Sequence, residues 1–514
     1  MTENDSLKAL FDAGNALFAA GDHAGAAERY RRVLRLDPYF PQALFNLGCA
    51  LDRIAGPHEA LPQFERAVQL VPEWGEAHGN LGFALARTGR MEQAARELEK
   101  ACALVPENAG YRNNLGLALT ALGSGEAAQD AFREAIRLDP RYPEPHNNLA
   151  ILLERFGHGG AAIRSCEEAL RLRPDYPEAH QNLANALKAQ GRHAEAVAHY
   201  REALALRPGW DEAWSSLLFA LLYPAAGSEE ALFAEHARFG AAHRFPPRAH
   251  HNAPDPDRVL KLGYVSADFR EHAVARFIEP VLAHHDRSRF RVFCYANLSV
   301  PDEATGRIAS LCDRFVNIAG LSDAAADELV RGDGIDILVD LSGHSAGNRL
   351  SLFARRPAPV QVSWLGYPFS TGLDAVDYRI TDAVCDPPGA TERFHSEALL
   401  RLPGTFSCFL PPEEAPEVGT LPSLSGGVTF ASFNNPAKIT PETVELWSAV
   451  LRAVPGSRLL VKGYSLACPE TRKRLEDAFA PRGIARERLE LAGNTPTYRE
   501  HLALYGRVDI ALDT

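Results

Sequence analysis

The chain has 514 residues, with 54 Lys and Arg against 66 Asp and Glu, which gives a formal net charge of -12. A chain of this length is too long to fold around a single hydrophobic core, so we predict several domains. The excess of acidic residues argues against a nucleic-acid-binding protein, which needs a basic surface. No run approaches the length of apolar sequence that crosses a bilayer, so we expect no membrane-spanning helix.

Cysteine usage and the N-terminal residues bear on the compartment. The chain begins Met-Thr-Glu-Asn-Asp-Ser, which lacks the basic-then-apolar order of a signal peptide. The eight cysteines are scattered without a C-x-x-C pair, which favours reduced thiols over a disulfide framework or a zinc site. We therefore expect a cytoplasmic protein with no resident metal and no cofactor.

The first half of the chain repeats every 34 residues. The prolines in phase are Pro38, Pro72, Pro106, Pro140, Pro174 and Pro208, and the small residues in phase are Gly14, Gly48, Gly82, Gly116, Ala150 and Ala184. Small residues let two helices pack closely, and a proline just beyond a helix ends it. One such hairpin cannot bury its apolar face alone, so we predict an α-solenoid over residues 7–223, with six full copies and a partial seventh.

An asparagine also recurs in phase, within the first helix of five copies: Asn46, Asn80, Asn114, Asn148 and Asn182. Asparagine is a mediocre helix former, so its recurrence inside helices needs a reason. The amides could form a ladder that pairs with the N–H and C=O groups of an extended peptide. They could equally bond to neighbouring turns of the solenoid, and the residues alone leave both interpretations open.

The period stops at residues 224–257, which we predict to be a linker because the stretch 246–256 is rich in proline and histidine. β-branched runs then alternate with helical segments, and the predicted strands are 259–266, 290–296, 335–341, 359–365, 428–433, 459–461, 489–491 and 508–512. This alternation predicts parallel β/α units in two Rossmann-like lobes, at 258–424 and 425–514.

Several enzyme classes are disfavoured by missing motifs. Neither lobe has the G-x-G-x-x-G of dinucleotide enzymes, and no P-loop or H-E-x-x-H occurs. The D-x-D at 255–257 lies in the predicted linker, so metal-bridged binding of a sugar nucleotide is unsupported. The adjacent pair His250 and His251 has no further ligands at metal-binding spacing, and we expect it on the surface.

Polar residues follow three predicted strands, at the edge where open α/β sheets bind ligands. His272 could act as a base or polarise an oxygen, or simply cap a helix. Gly343 and His344 suit close approach to an anion or a sugar, or a tight turn. Lys438 precedes a helix start, where a cation and free N–H groups favour a phosphate, although most lysines in such loops are merely exposed.

Together, the stretches 263–272, 336–350, 356–382 and 428–441 resemble the SPINDLY and O-GlcNAc transferase family of protein glycosyltransferases, which carry tetratricopeptide repeats. The resemblance implies an α-solenoid followed by a glycosyltransferase-B fold of two Rossmann-like lobes, working without a catalytic metal. It also implies inverting transfer of a sugar from a nucleotide diphosphate to Ser or Thr hydroxyls.

The resemblance also implies roles for individual residues. His272 matches an active-site histidine beside the donor sugar, although the resemblance does not decide whether it is the general base. Lys438 matches the lysine that neutralises the donor diphosphate, and Asn435 falls where the family contacts the nucleotide. The remaining donor-site candidates are Asn434, Gly343 and His344. The five in-phase asparagines match amides that hold substrate peptide in the repeat groove.

The expected donor is UDP-GlcNAc. GDP-fucose is the alternative, because the motifs are closer to SPINDLY-type members and those include fucosyltransferases. Expected partners are protein or peptide substrates in the repeat groove, without nucleic acid or membrane. Family members continue with a threonine-rich loop and a helix where this chain ends at Thr514. We therefore expect an incomplete second lobe and a C-terminally truncated chain that is inactive alone, with a non-catalytic peptide-binding adaptor as a further alternative.

Overall fold

The fold is taken from a computed structural model of the chain. It describes residues 3–223, 227–255, 257–412, 415–424 and 426–514, with the side chains of residues 3–6 left out. Residues 224–226 and 256 of the predicted linker, and residue 425 at the predicted start of the second lobe, lie outside these ranges. The backbone divides into two compact units, Met1–Leu183 and Ala184–Thr514, so the boundary precedes the predicted end of the repeats.

Twelve helices in six pairs form the repeats. Their bounds are α1 Glu3–Ala19, α2 His23–Leu36, α3 Pro41–Ile54, α4 Pro57–Leu70, α5 Gly75–Arg87, α6 Met91–Leu104, α7 Ala109–Ala121, α8 Gly125–Leu138, α9 Pro143–Arg155, α10 Gly159–Leu172, α11 Pro177–Ala189 and α12 His193–Leu206. The in-phase prolines lie just beyond the second helix of each pair, as predicted: α2 ends at Leu36 and Pro38 occupies the following turn.

The in-phase glycines are explained by the packing of each helix pair. An added Cβ would lie 2.5 to 2.6 Å from a bulky side chain of the second helix, in the pairs Gly14–Tyr30, Gly48–Phe64, Gly82–Leu98 and Gly116–Phe132. These bulky residues are almost completely buried, so they cannot swing away. The predicted close approach of the two helices is therefore confirmed for these four pairs.

Gly116→Ala is expected to destabilise the repeats. The new methyl group would lie 2.5 Å from Phe132, and overpacking of a core costs about 1–3 kcal/mol. Alanine regains about 1 kcal/mol of helix propensity, so we expect the free energy of unfolding to fall by about 1 kcal/mol. Urea unfolding measures this change.

Gly306→Ala is the matched control, because Gly306 is helical and an added Cβ there meets nothing within 4 Å. It should gain stability through helix propensity alone. The double variant Gly116→Ala/Phe132→Cys copies the fifth repeat, which holds Ala150 and Cys166 at these positions, and its loss should be smaller than the sum of the single losses. Equal gains in Gly116→Ala and Gly306→Ala would contradict the packing argument.

The first lobe is a seven-stranded parallel sheet in the order β3-β2-β1-β4-β5-β6-β7. Its elements are β1 Leu260–Ser266, α15 Ala273–His284, β2 Phe290–Ala296, α16 Glu303–Ser310, β3 Arg314–Asn317, α17 Asp323–Asp333, β4 Ile337–Asp340, α18 Leu350–Ala354, β5 Val360–Ser363, β6 Tyr378–Asp382 and β7 Ala398–Leu402. Strand β1 pairs with β4 from Leu262 opposite Ile337 to Val265 opposite Asp340. The loops that follow these two central strands are therefore neighbours.

Two helices join the repeats to this lobe: α13 Asp211–Ala220 and α14 Glu229–Ala242. Helix α14 lies inside the predicted linker. Three of its residues are buried: His236, Phe239 and Gly240. A Cβ on Gly240 would collide with the carbonyl oxygen of Gly372, so the helix packs directly on the loop after β5. The linker prediction is therefore wrong for residues 229–242, because tertiary packing makes them part of the lobe.

The second lobe is a four-stranded parallel sheet in the order β10-β9-β8-β11. Its elements are β8 Thr429–Ser432, α19 Pro441–Ala453, β9 Arg458–Lys462, α20 Pro469–Phe479, β10 Leu489–Ala492, α21 Tyr498–Ala503 and β11 Ile510–Ala511. Trp447, Leu459 and Phe479 are buried in its core. Within the described ranges, no helix is both long enough and apolar enough to cross a membrane.

Candidate active site

His272 caps the N-terminus of α15, directly after the loop that follows β1. Its Nδ1 accepts a hydrogen bond of 3.2 Å from the Val274 N–H. A neutral imidazole that accepts through Nδ1 carries its proton on Nε2. The side chain is 42% exposed, so the ring presents a hydrogen-bond donor to solvent. Capping and a chemical role are therefore compatible at this residue.

A buried carboxyl accompanies His272. The Oδ2 atom of Asp268 lies 3.6 Å from His272 Nδ1, and the Asp268 N–H donates to Ser266 Oγ at 2.9 Å. Burial raises the pKa of Asp268, and the nearby charges of His272 and Arg270 oppose that rise. Asp268 therefore adds a carboxyl to the immediate surroundings of the histidine.

Gly343 stands in a tight turn after β4. Its φ is 53°, and a Cβ there would collide with the side chain of Tyr367, so glycine is required on two counts. Its N–H donates a hydrogen bond to Asp340 Oδ2 at 2.8 Å. Burial raises the pKa of Asp340 to about 6, although this hydrogen bond acts to lower the pKa. The turn is thus held by a buried carboxyl.

His344 lies inside the protein, with 1% of its surface exposed. Its Nδ1 is 3.2 Å from Ser215 Oγ on α13, and its Nε2 is 2.9 Å from the carbonyl oxygen of Thr371. Burial lowers its pKa well below the usual value. Both ring nitrogens form hydrogen bonds within the protein, so this side chain joins α13 to the first lobe. It has no free nitrogen with which to contact a sugar-nucleotide donor.

A second buried histidine lies beside His344. His236 Nε2 is 2.8 Å from the Tyr367 hydroxyl, and His236 Nδ1 is 2.8 Å from the carbonyl oxygen of Leu232. Burial lowers the pKa of His236 to about 4. The histidine pair therefore makes the packing of α14 on the first lobe sensitive to acid.

We expect stability to fall as the pH drops from about 6.5 to about 4, because the unfolded chain binds a proton at His236 that the folded protein excludes. The stabilisation is complete above about pH 6.5, and the loss below it reaches about 3 kcal/mol for this residue. His236→Gln should flatten the pH dependence of urea unfolding, whereas His251→Ala, at an exposed position, should not. An unchanged slope in His236→Gln would contradict this expectation.

Lys438 is exposed and ends a 3-10 turn, Pro436–Lys438, two residues before the cap of α19. Thr440 caps that helix by accepting from the Thr443 N–H at 3.3 Å. Among the residues that the structure describes, no carboxylate forms an ion pair with Lys438. A cation beside a helix N-terminus provides the charge that binds phosphate groups.

The two neighbouring asparagines have different partners. Asn435 is exposed, and its Oδ1 accepts from the Ala437 N–H at 3.0 Å, which closes the turn before Lys438. Asn434 donates through Nδ2 to Asp513 and, at 3.2 Å, to Thr514 Oγ1. Asn434 therefore ties the end of β8 to the end of β11, and Asn435 shapes the lysine loop.

One cluster of side chains was not predicted from the sequence and lies at the edge of the second lobe where β8 and β9 end. Lys462 Nζ lies 2.8 Å from His501 Nδ1, and burial lowers the pKa of both groups. The His501 ring is 5.6 to 5.9 Å from the rings of Phe433, Tyr498 and Tyr505. The spacing of Tyr498, His501 and Tyr505 places them on one helix face, and that pattern could have identified the cluster.

The two lobes contact each other close to His272. The guanidinium of Arg276, one turn into α15, lies 3.7 Å from the ring centroid of Tyr498 on α21. A cation over an aromatic face is attracted by the ring quadrupole. Helix α15 of the first lobe and the aromatic cluster of the second lobe are therefore adjacent.

A cavity of about 690 Å³ opens beside the Gly343 turn. It is lined by Asn185 and Lys188 at the end of α11, by Ser215 on α13, and by Asn348 in the loop after β4. Asn348 Nδ2 donates to Ser215 Oγ at 3.0 Å. Repeat residues and first-lobe residues thus share one cavity within the second unit.

The in-phase asparagines are all half-buried. Four of them donate an Nδ2 hydrogen inside the solenoid, in the pairs Asn46–Asn15, Asn80–Glu76 carbonyl, Asn148–Asn113 and Asn182–Asn147, at 2.8 to 2.9 Å. These bonds support the structural interpretation of the series. A primary amide has two N–H groups and an accepting oxygen, so one internal bond does not conflict with peptide binding.

Comparisons with known proteins bear on the class of protein. The sequence profile described as Glycosyl transferase family 41 matches residues 219–409. Profiles described as tetratricopeptide or TPR repeats match residues 14–53, 48–109, 89–143 and 156–221. A solved O-GlcNAc transferase mutant of Thermobaculum terrenum is 36% identical, with a TM-score of 0.74 and coverage of 79% of this chain and 78% of that one.

Two plant proteins are also similar. Each is called a probable UDP-N-acetylglucosamine–peptide N-acetylglucosaminyltransferase SPINDLY; the one from Arabidopsis thaliana is 41% identical and the one from Solanum lycopersicum 40%, over 305 residues. The matches cover 58% of this chain and 33% of each relative. The chain therefore spans about a third of the length of these curated relatives.

The architecture is therefore tetratricopeptide helices followed by two parallel-sheet lobes of the glycosyltransferase-B kind, as the sequence predicted. The chain belongs to glycosyltransferase family 41, the family of the SPINDLY and O-GlcNAc transferases.

Proposed function

We propose that the protein is a cytoplasmic protein O-glycosyltransferase that moves N-acetylglucosamine from UDP-GlcNAc to Ser or Thr hydroxyls. The observation that carries the proposal is Lys438, an exposed cation beside the N-terminus of α19 in a parallel-sheet lobe. The names of the plant relatives, which specify UDP-N-acetylglucosamine and a peptide acceptor, support this choice of donor and acceptor.

The proposed reaction inverts the anomeric carbon and uses no metal. The acceptor oxygen bonds to that carbon on one face while the bond to the diphosphate breaks on the other, and the proton of the hydroxyl passes to solvent water. Negative charge grows on the departing diphosphate, where Lys438 and the N–H groups at the start of α19 stabilise it. His272 supplies an N–H on Nε2 that polarises an oxygen of the donor.

The nucleotide is proposed to bind in the second lobe. The rings of Tyr498, His501 and Tyr505 provide faces on which a base can stack. Asn435, exposed at the lysine loop, can hydrogen-bond to the nucleotide, whereas the amide nitrogen of Asn434 is engaged by the end of β11. The base and the diphosphate would thus lie along the carboxyl edge of one sheet.

The acceptor is proposed to be a protein segment held by the repeats. The amides of Asn46, Asn80, Asn114, Asn148 and Asn182 would pair with its backbone. The cavity shared by α11, α13 and the loop after β4 would admit the segment that carries the reacting hydroxyl. Proteins and peptides are the expected partners, with neither nucleic acid nor membrane required.

GDP-fucose is the second candidate donor, because the plant relatives are SPINDLY-type members at 40 to 41% identity. Incubating the chain with each radiolabelled donor and a protein lysate separates the candidates. Incorporation from UDP-GlcNAc supports the first proposal and incorporation from GDP-fucose supports the second. If neither donor is incorporated, both proposals fail and the peptide-binding adaptor remains. The same assay tests whether residues 1–514 turn over a donor alone.

A further inference from the structure

A histidine of the last full repeat contacts the lysine loop of the second lobe. His193 is the first residue of α12, and its Nε2 lies 2.6 Å from the carbonyl oxygen of Ala437. Ala437 immediately precedes Lys438. The bond joins residues 244 positions apart in the chain, and both belong to the second compact unit. A repeat therefore reaches the backbone next to the proposed diphosphate ligand.

The His193 ring is firmly held. It is 7% exposed and stacks on Tyr223 with 4.0 Å between ring centroids and 7° between planes. Burial lowers the pKa of His193, which favours the neutral ring. Because a carbonyl oxygen can only accept, Nε2 carries the hydrogen and donates it. The bond to Ala437 thus has one direction and one geometry.

The turn that His193 contacts is held by several bonds and by close packing. Asn435 Oδ1 accepts from the Ala437 N–H at 3.0 Å, and the Asn435 carbonyl accepts from the Lys438 N–H at 2.9 Å. Pro436 packs so tightly on Gly463 that a Cβ there would collide with its ring. His193 adds the bond to the Ala437 carbonyl, which these contacts leave without a partner inside the turn.

A second contact supports the same junction. The guanidinium of Arg474, on α20 of the second lobe, lies 3.4 Å from the place a Cβ would occupy on Gly191. Burial lowers the pKa of Arg474, so the side chain is substantially enclosed. The turn before α12 therefore abuts the second lobe at two places, one of them the lysine loop.

We infer that His193 is a positioning residue for the donor diphosphate: its hydrogen bond to the Ala437 carbonyl holds the lysine loop so that Lys438 meets the phosphates. This inference rests on the proposed function of Lys438. It gives the last full repeat a direct part in donor binding, besides any part in holding the acceptor.

The test compares variants of the full chain by the Kd of UDP and of GDP in calorimetry. His193→Phe keeps a ring on Tyr223 but removes the donor N–H, and we expect the Kd of the nucleotide that binds to rise about 3- to 10-fold, as for the loss of one hydrogen bond. His193→Gln retains an N–H and should recover part of the affinity. His199→Ala, on the same helix, is the matched control and should leave the Kd unchanged.

A double-mutant cycle separates positioning from mere structural support. In a Lys438→Ala background, His193→Phe should have no further effect on the Kd, because the group it positions is gone. An equal loss in both backgrounds would overturn the inference, as would an unchanged Kd in His193→Phe while Lys438→Ala weakens binding. If Lys438→Ala itself leaves both Kd values unchanged, the proposed function of Lys438 has failed instead. Should His193→Phe not fold, His193→Leu, which also lacks a hydrogen-bond donor, carries the same comparison.

Discussion

Lys438→Ala is expected to lower kcat/KM for the nucleotide-sugar donor by about 10²- to 10³-fold, the usual effect of removing one group that stabilises developing charge. The lysine is exposed, stands beside the start of α19 and forms no ion pair with the described carboxylates. Under the proposed function its charge is available to the donor diphosphate, on which negative charge grows as the nucleotide leaves. Initial rates over a range of donor concentrations measure the change.

Lys473→Ala is the matched control, because this lysine is also exposed in the second lobe but pairs with Asp477 at 2.8 Å. It should leave the rate unchanged. Lys438→Arg retains the charge with a different shape and should fall between the wild type and Lys438→Ala. Equal rates for Lys438→Ala and Lys473→Ala would remove Lys438 from the mechanism.

The repeats could be predicted from the sequence because their packing is local. Each in-phase glycine meets a bulky residue of the next helix, so sequence period and three-dimensional contact coincide. The eight predicted strands also appear, each within two residues of its predicted ends. Long apolar runs bounded by turns define such strands without reference to distant parts of the chain.

Among the elements that were not predicted, strands β3, β6 and β7 and helix α14 have a clear physical reason. β3, β6 and β7 are four or five residues long and partly exposed, so they lack a buried apolar run. Helix α14 carries buried His236 and Gly240. These residue types are typical of a linker, and only the contacts with Gly372 and Tyr367 explain why they are helical and buried. Tertiary contacts, rather than local propensity, determine these elements.

The sequence could predict where two candidate residues lie, because each follows a strand and precedes a helix. His272 and Lys438 lie at exposed helix starts, as expected from the β/α pattern. His344 has the same position in the pattern, yet Ser215, 129 residues earlier, covers it. Nothing local distinguishes an exposed strand-end histidine from a covered one. The cluster of Lys462 and His501 was missed because it joins a strand end to a helix 39 residues later.

His272→Ala is expected to reduce transfer about 10²-fold while leaving donor binding measurable, since the group acts on the reacting centre rather than on the nucleotide. The proposed function gives His272 the donating role. In the tautomer whose Nδ1 accepts from the Val274 N–H, the hydrogen lies on Nε2, from which the ring would donate a bond instead of removing a proton.

The variant His272→Gln distinguishes these roles. Its side-chain amide can still donate a hydrogen bond but cannot take up a proton, so a donating role predicts substantial recovery relative to His272→Ala. A general base would leave His272→Gln as slow as His272→Ala, and the fall in rate at low pH that such a base causes would disappear from both variants. Measuring kcat against pH for the three proteins decides the role, since recovery in His272→Gln with the acid limb retained requires an N–H donor.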